Sequence, residues 1–95
     1  MTVQHDPDRE RFFVTLPDGD AELYYRTFGA DVLDLRHTEV PPSARGKGVG
    51  DELVRAALAY ARHHELRVVV TCPFVRRWLQ KHPEERPPGT VERPF

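Results

Sequence analysis

The sequence has a single cysteine, Cys72, so no disulfide closes within the chain, and no charged and apolar leader opens it. Both features point to a reducing cytoplasm. The longest unbroken apolar run is Val68-Val69-Val70, far below the roughly 20 residues that cross a bilayer, so no membrane partner is expected. Positive charge is not in excess either: 14 Lys and Arg stand against 15 Asp and Glu, a formal charge of −1. A dedicated nucleic-acid binder displaces counterions with a basic face, and this balance argues against one. A small anion needs only a local positive spot. Metal-ligand spacing is absent as well, since His63 and His64 are adjacent and diverge on a helix, while Cys72 and His82 have no partner pair nearby.

What is present fits one thin-cored domain. A chain of 95 residues leaves little volume for a deep side-chain pocket, so a site is expected to use backbone groups at the ends of elements. Residues 1–10 are polar and aperiodic and read as a flexible arm. Arg11 to Leu16 reads as a strand stopped by the turn Pro17-Asp18-Gly19-Asp20. Ala21 to Phe28 and Val32 to Val40 follow as the second and third strands of an antiparallel meander. From Gly48 the period becomes helical, with Val49, Leu53, Ala57 and Ala61 four apart and Val54 and Leu58 widening the stripe. That helix should run to about His64. Leu66 to Thr71 is then a buried fourth strand, so strand, glycine loop, helix and strand make a βαβ crossover. A second helix carries Phe74, Val75, Trp78 and Leu79 on one stripe up to Pro83. Trp78 therefore reads as core, and Arg76, Arg77 and Lys81 as a solvated face. The domain spans residues 11–84, and 85–95 reads as a loose tail rich in proline.

The loop Arg45-Gly46-Lys47-Gly48-Val49-Gly50 leaves a strand and opens a helix. Unpaired amides and the helix dipole make such a place an anion site. The glycines remove Cβ atoms that would hold phosphate oxygens away, and Arg45 and Lys47 add fixed charge. Two familiar phosphate loops fail: there is no Gly-Lys-Ser/Thr, and Asp51 stands where the last glycine of Gly-x-Gly-x-x-Gly belongs. What fits is Arg-x-x-Gly-x-Gly, as Arg45, Gly48 and Gly50.

The run His37-Thr38-Glu39-Val40-Pro41-Pro42-Ser43-Ala44-Arg45-Gly46-Lys47-Gly48-Val49-Gly50, followed by Leu53-Val54 and later by Thr71-Cys72, resembles the minimal single-domain branch of the GNAT N-acetyltransferase superfamily. The resemblance covers about residues 11 to 84. It implies a small α+β or α/β domain that binds acetyl-CoA or CoA, with the pantetheine arm between splayed third and fourth strands. Backbone near Glu39 and Val40 would pair with that arm, and the amides of Gly46, Lys47, Gly48, Val49 and Gly50, with Arg45, would hold the pyrophosphate. It also implies transfer of acetyl to an unidentified amine, directly or through Cys72, and the chain is expected to be a monomer or weak dimer. The chain departs from the larger members in having no tyrosine beyond Tyr60 to serve as an acid.

Three residues are candidates for chemistry. Cys72 ends the last strand beside the expected thioester, where it takes the acetyl group, protonates the departing sulfur, or only packs. His37 and Glu39 lie two apart on one strand and share a face, where either relays a proton, or else His37 is a satisfied half-buried histidine and Glu39 a strand-end charge near Arg36 or Arg45. Three functions stay open at this level: an N-acetyltransferase, a non-catalytic CoA or acyl-CoA binding module, and an interaction domain whose basic loop only resembles a cofactor site.

Overall fold

Strict alternation along the strands builds one sheet with a buried face and an open face. In the computed structural model, which describes residues 2–93, the strands are β1 (Gln4–Asp6), β2 (Arg11–Leu16), β3 (Gly19–Phe28), β4 (Val32–Glu39), β5 (Arg67–Val70) and β6 (Val91–Glu92). The helices are α1 (Val49–His63) and α2 (Pro73–Lys81). The six strands lie in chain order. Pairing is antiparallel from β1 to β4 and parallel for β4–β5 and β5–β6. A parallel neighbour needs a crossover, and α1 supplies it between β4 and β5.

The inward residues Phe12, Val14, Ala21, Leu23, Tyr25, Leu33, Leu35, Val68 and Val70 are all buried. Leu53, Val54, Ala57, Leu58 and Ala61 of α1 cover them, joined by Val75, Trp78 and Leu79 of α2. The two helices sit side by side on this face. The Trp78 Nε1–H donates to Asp51 Oδ1 at 2.9 Å, and the Arg55 guanidinium lies 5.3 Å from the Trp78 ring. Trp78 is thus a core residue, and its one polar atom is satisfied. The opposite face carries Arg11, Glu22, Tyr24, Asp34 and Val69 between exposed positions.

The meander, the crossover and both helices fall where the periodicity places them. The ends do not. Residues 4–6, read as part of an arm, pair with β2 in the register Gln4↔Phe13, His5↔Phe12 and Asp6↔Arg11. The strand is invisible to an apolar pattern because its inward residue is a histidine. The His5 ring stacks on Phe12 at 4.3 Å, meets Tyr60 edge-on at 4.6 Å, and hydrogen-bonds the Tyr25 hydroxyl at 2.5 Å. Residues 91–92, read as part of a loose tail, pair with Val69 and Val70. Ion pairs of Glu92 with Arg76 and Arg86 hold them there, together with the Arg93 N–H donating to Val70 O. Met1 and residues 94–95, also assigned to the arm and the tail, lie outside the described residues.

Candidate functional site

β4 and β5 stay paired for only four residues. Their register ends at Leu35↔Val70, and the Leu35 carbonyl then accepts the N–H groups of both Thr71 and Cys72 at 3.0 Å. Beyond that link β4 runs on to Glu39 with only β3 beside it. The cause is a bulge: Tyr24 faces His37 while Tyr25 faces Leu35, so Arg36 is an extra residue opposite no partner. The bend carries β4 away from β5 and opens a fork.

The fork leads to the start of α1. Pro42–Ala44 form a single 3-10 turn, after which Gly46 and Gly48 both take left-handed backbone, at φ +78° and +80°. The helix ladder starts at Glu52 N–H, which donates to Gly48 O. The amides of Val49, Gly50 and Asp51 therefore have no upstream helical carbonyl to pair with. A cleft of about 830 Å³ connects the two regions. It is lined by Thr38, Glu39 and Val40 on the fork, by Arg45, Gly46, Gly48, Val49, Gly50 and Asp51 on the loop, and by Asp18, Asp20 and Phe74 at its sides. Of the residues assigned to the loop from sequence, Lys47 alone is absent from this cleft and lines instead a smaller hollow of about 400 Å³ with Leu16, Pro17 and Ser43.

Each glycine has its own reason. A Cβ at Gly46 or Gly48 would meet nothing within 4 Å, so those two are required by backbone conformation. A Cβ at Gly50 would sit 2.5 Å from the Phe74 ring. The missing Cβ at Gly50 therefore makes room for Phe74 of α2, while its backbone stays on the cleft wall. Arg45 also has a partner within the chain, since its Nε–H donates to the Val40 carbonyl at 3.2 Å.

The three candidates for chemistry separate onto the two faces at the fork. Cys72 lies on the helix-covered side, 1% exposed, with its Sγ 3.4 Å from Thr38 Oγ1. His37 and Glu39 lie on the open side. They are 59% and 64% exposed, and His37 Nε2 is 3.5 Å from Glu39 Oε1. His37 is thus more open than the half-buried position expected of it. Around this pair Tyr24 stacks on His37 at 6.5 Å. The Tyr24 phenol is pushed up to about 12, chiefly by its hydrogen bond to Glu22 and then by burial, so it stays protonated at neutral pH. Arg11 bridges Glu22 and Asp20, the contact to Asp20 being 3.1 Å.

Sequence reasoning gave no site role to Asp34, and used Thr38 and Thr71 only to recognise the family and Phe74 only as part of the α2 stripe. Asp34 carried a signal: it is a charge set inside the apolar alternation of β4.

Residues 11–87 match the profile described as GCN5-related N-acetyl-transferase. The chain belongs to this family. Among curated relatives it is 37% identical to bovine (Bos taurus) Protein NATD1 over 85 residues, covering 87% of this chain and 75% of that protein. Human (Homo sapiens) Protein NATD1 is 35% identical over the same share of each chain, and the zebrafish (Danio rerio) protein is 31% identical, with 87% and 77% covered. Among solved structures, a GCN5-like protein from Staphylococcus aureus superposes with a TM-score of 0.75, covering 99% of this chain and 91% of that one at 22% identity. At that identity the likeness speaks for the fold alone. A small GCN5-related N-acetyltransferase domain is the frame within which the fork, the loop and Cys72 are interpreted. Among the described residues, no helix is long and apolar enough to cross a membrane.

Proposed function

We propose that this domain binds acetyl-CoA across the fork and transfers the acetyl group to an amine. The observation that carries the reading is the continuity of one cleft, from the unpaired β4 edge at Thr38–Val40 to the open amides at the start of α1. The pyrophosphate of CoA suits the α1 end, where unpaired N–H groups, the helix dipole and Arg45 favour an anion. The pantetheine arm, with its own amides, suits the β4 edge left without a strand partner. The thioester then lies near Thr38 and Cys72.

The chemistry needs few protein groups. The amine nitrogen attacks the thioester carbonyl, the C–S bond breaks, and sulfur leaves with the electron pair. Holding the two reactants in line is worth about 7 to 11 kcal/mol of the barrier. The Val40 N–H, just past the β3–β4 ladder, is the donor assigned to the developing oxyanion. The proton lost by the amine passes to the exposed His37–Glu39 pair, directly or through water. The Cys72 thiol, enclosed beside Thr38, donates its proton to the departing sulfur. Direct attack and passage through an acetyl-Cys72 intermediate give the same product.

The test is turnover. Incubation of the protein with acetyl-CoA and separate pools of polyamines, amino sugars and lysine peptides, read by mass spectrometry, should show acetylated amine and free CoA in at least one pool. Bound acetyl-CoA without transfer in any pool would leave a CoA-binding module instead.

A further inference from the structure

Asp34 is enclosed at 0% exposure on the face of the sheet opposite both helices, yet it is a carboxylate with ties to both arms of the fork. Its Oδ1 accepts the Thr71 hydroxyl at 2.7 Å, and Thr71 is the first residue past β5 on the arm that leads to Cys72. Its Oδ2 accepts from Arg36 Nη1 at 3.0 Å, and Arg36 is the bulge residue that turns β4 away. Arg93 Nη1 approaches the same oxygen at 3.8 Å. The next residue, Leu35, supplies the carbonyl shared by the Thr71 and Cys72 amides. One side chain thus holds both arms at the last point where they meet. A buried carboxylate is costly unless it is satisfied by strong hydrogen bonds. Here those bonds fall on the residues that start the divergence.

Building on the acetyl-CoA reading, we infer that Asp34 is a positioning residue: it fixes the opening of the fork from the far side of the sheet, and so the placement of Cys72 and of the pantetheine arm. It touches neither cofactor nor acceptor. It acts through Thr71 on one arm and Arg36 on the other. Because Arg36 is 43% exposed, water can take over its charge when Asp34 is neutralised, so the fold survives while the fork loosens.

Asp34→Asn keeps the shape and removes the charge, while Thr71→Val and Arg36→Gln each cut one tie and leave the core whole. The first readout needs no cofactor: the rate at which iodoacetamide alkylates enclosed Cys72, set against global stability in urea. Loss of a charge-assisted bond of this kind should raise that rate about tenfold in Asp34→Asn at nearly unchanged stability, with smaller rises in the other two variants. The second readout is the affinity for acetyl-CoA against that for ADP, which lacks the arm. Asp34→Asn should weaken acetyl-CoA several-fold and leave ADP unchanged, whereas a general loosening would move both. Alkylation at the parental rate in all three variants, or a rise that merely follows lost global stability, overturns the proposal. If the parent binds neither nucleotide, the acetyl-CoA reading fails, and the alkylation rates still decide whether Asp34 holds the fork.

Discussion

At Gly48 the backbone sits at φ +80° with open space where a side chain would go. Gly48→Ala should therefore cost only the strain of a left-handed residue, about 1–2 kcal/mol, measurable by urea unfolding. Any larger loss of cofactor affinity reports the ligand's own approach to the loop. His5 makes a second prediction at this scale. Burial lowers its pKa from 6.5, with Asp6 opposing and His64 adding to the effect. The folded state then binds this proton less readily than the unfolded chain, so the stabilising contribution is complete above 6.5 and is lost as pH falls below it. Parental stability should drop as pH falls below 6.5, and His5→Phe, which keeps a ring but cannot titrate, should flatten that slope. Equal slopes in both proteins would remove His5 from the account. Cys72 divides the two chemical routes. Acetyl-CoA without acceptor should leave Cys72 unmodified if attack is direct, and should leave a hydroxylamine-labile acetyl on it if the thiol is a nucleophile. On either route Cys72→Ala should keep most of the CoA affinity, since the loop amides belong to another segment.

Between elements, the contact of Gly50 with Phe74 matters most for the cleft. An added Cβ at 2.5 Å from the far end of the ring must push it, and Phe74 is half-buried at the cleft wall. Gly50→Ala gains about 0.5 to 1 kcal/mol of helix propensity, which offsets the displacement, so urea midpoints should move little. Acetyl-CoA affinity should fall, and Phe74→Leu in the same background should restore it. Parental affinity in Gly50→Ala alone would show that the ring does not bound the ligand. The major elements were legible in the sequence because their burial is periodic. β2, β3 and β4 alternate, α1 repeats Val49, Leu53, Ala57 and Ala61, and the glycines mark the turn into it. β1 and β6 were not legible because polar contacts hold them: His5 among aromatic rings, and Glu92 between two arginines. The fork was foreseen only through the family resemblance. Its structural cause, the bulge at Arg36 with Asp34 beneath it, depends on a register between distant strands that no local pattern reports.

For the molecule as a whole, a thin sheet with both helices on one face offers a continuous way through only where two strands part. The loop amides and the unpaired β4 edge meet there, with Cys72 enclosed behind Thr38, and the relatives align over most of this chain. The open face beside the fork carries Glu22, Tyr24, His37 and Glu39, and the proposed transfer would bring its amine to that side. Calorimetric titration of acetyl-CoA into the parent and into Gly48→Val tests the central claim most directly, with thermal melting alongside. The parent should bind, and at about 100 times the dissociation constant it should gain about 2.7 kcal/mol of stability. The variant, folded but with a branched side chain at the amide mouth, should bind at least about tenfold more weakly. A folded parent that shows neither heat nor a melting shift at millimolar acetyl-CoA, or a variant that binds as the parent does, would contradict the assignment of this loop to the cofactor.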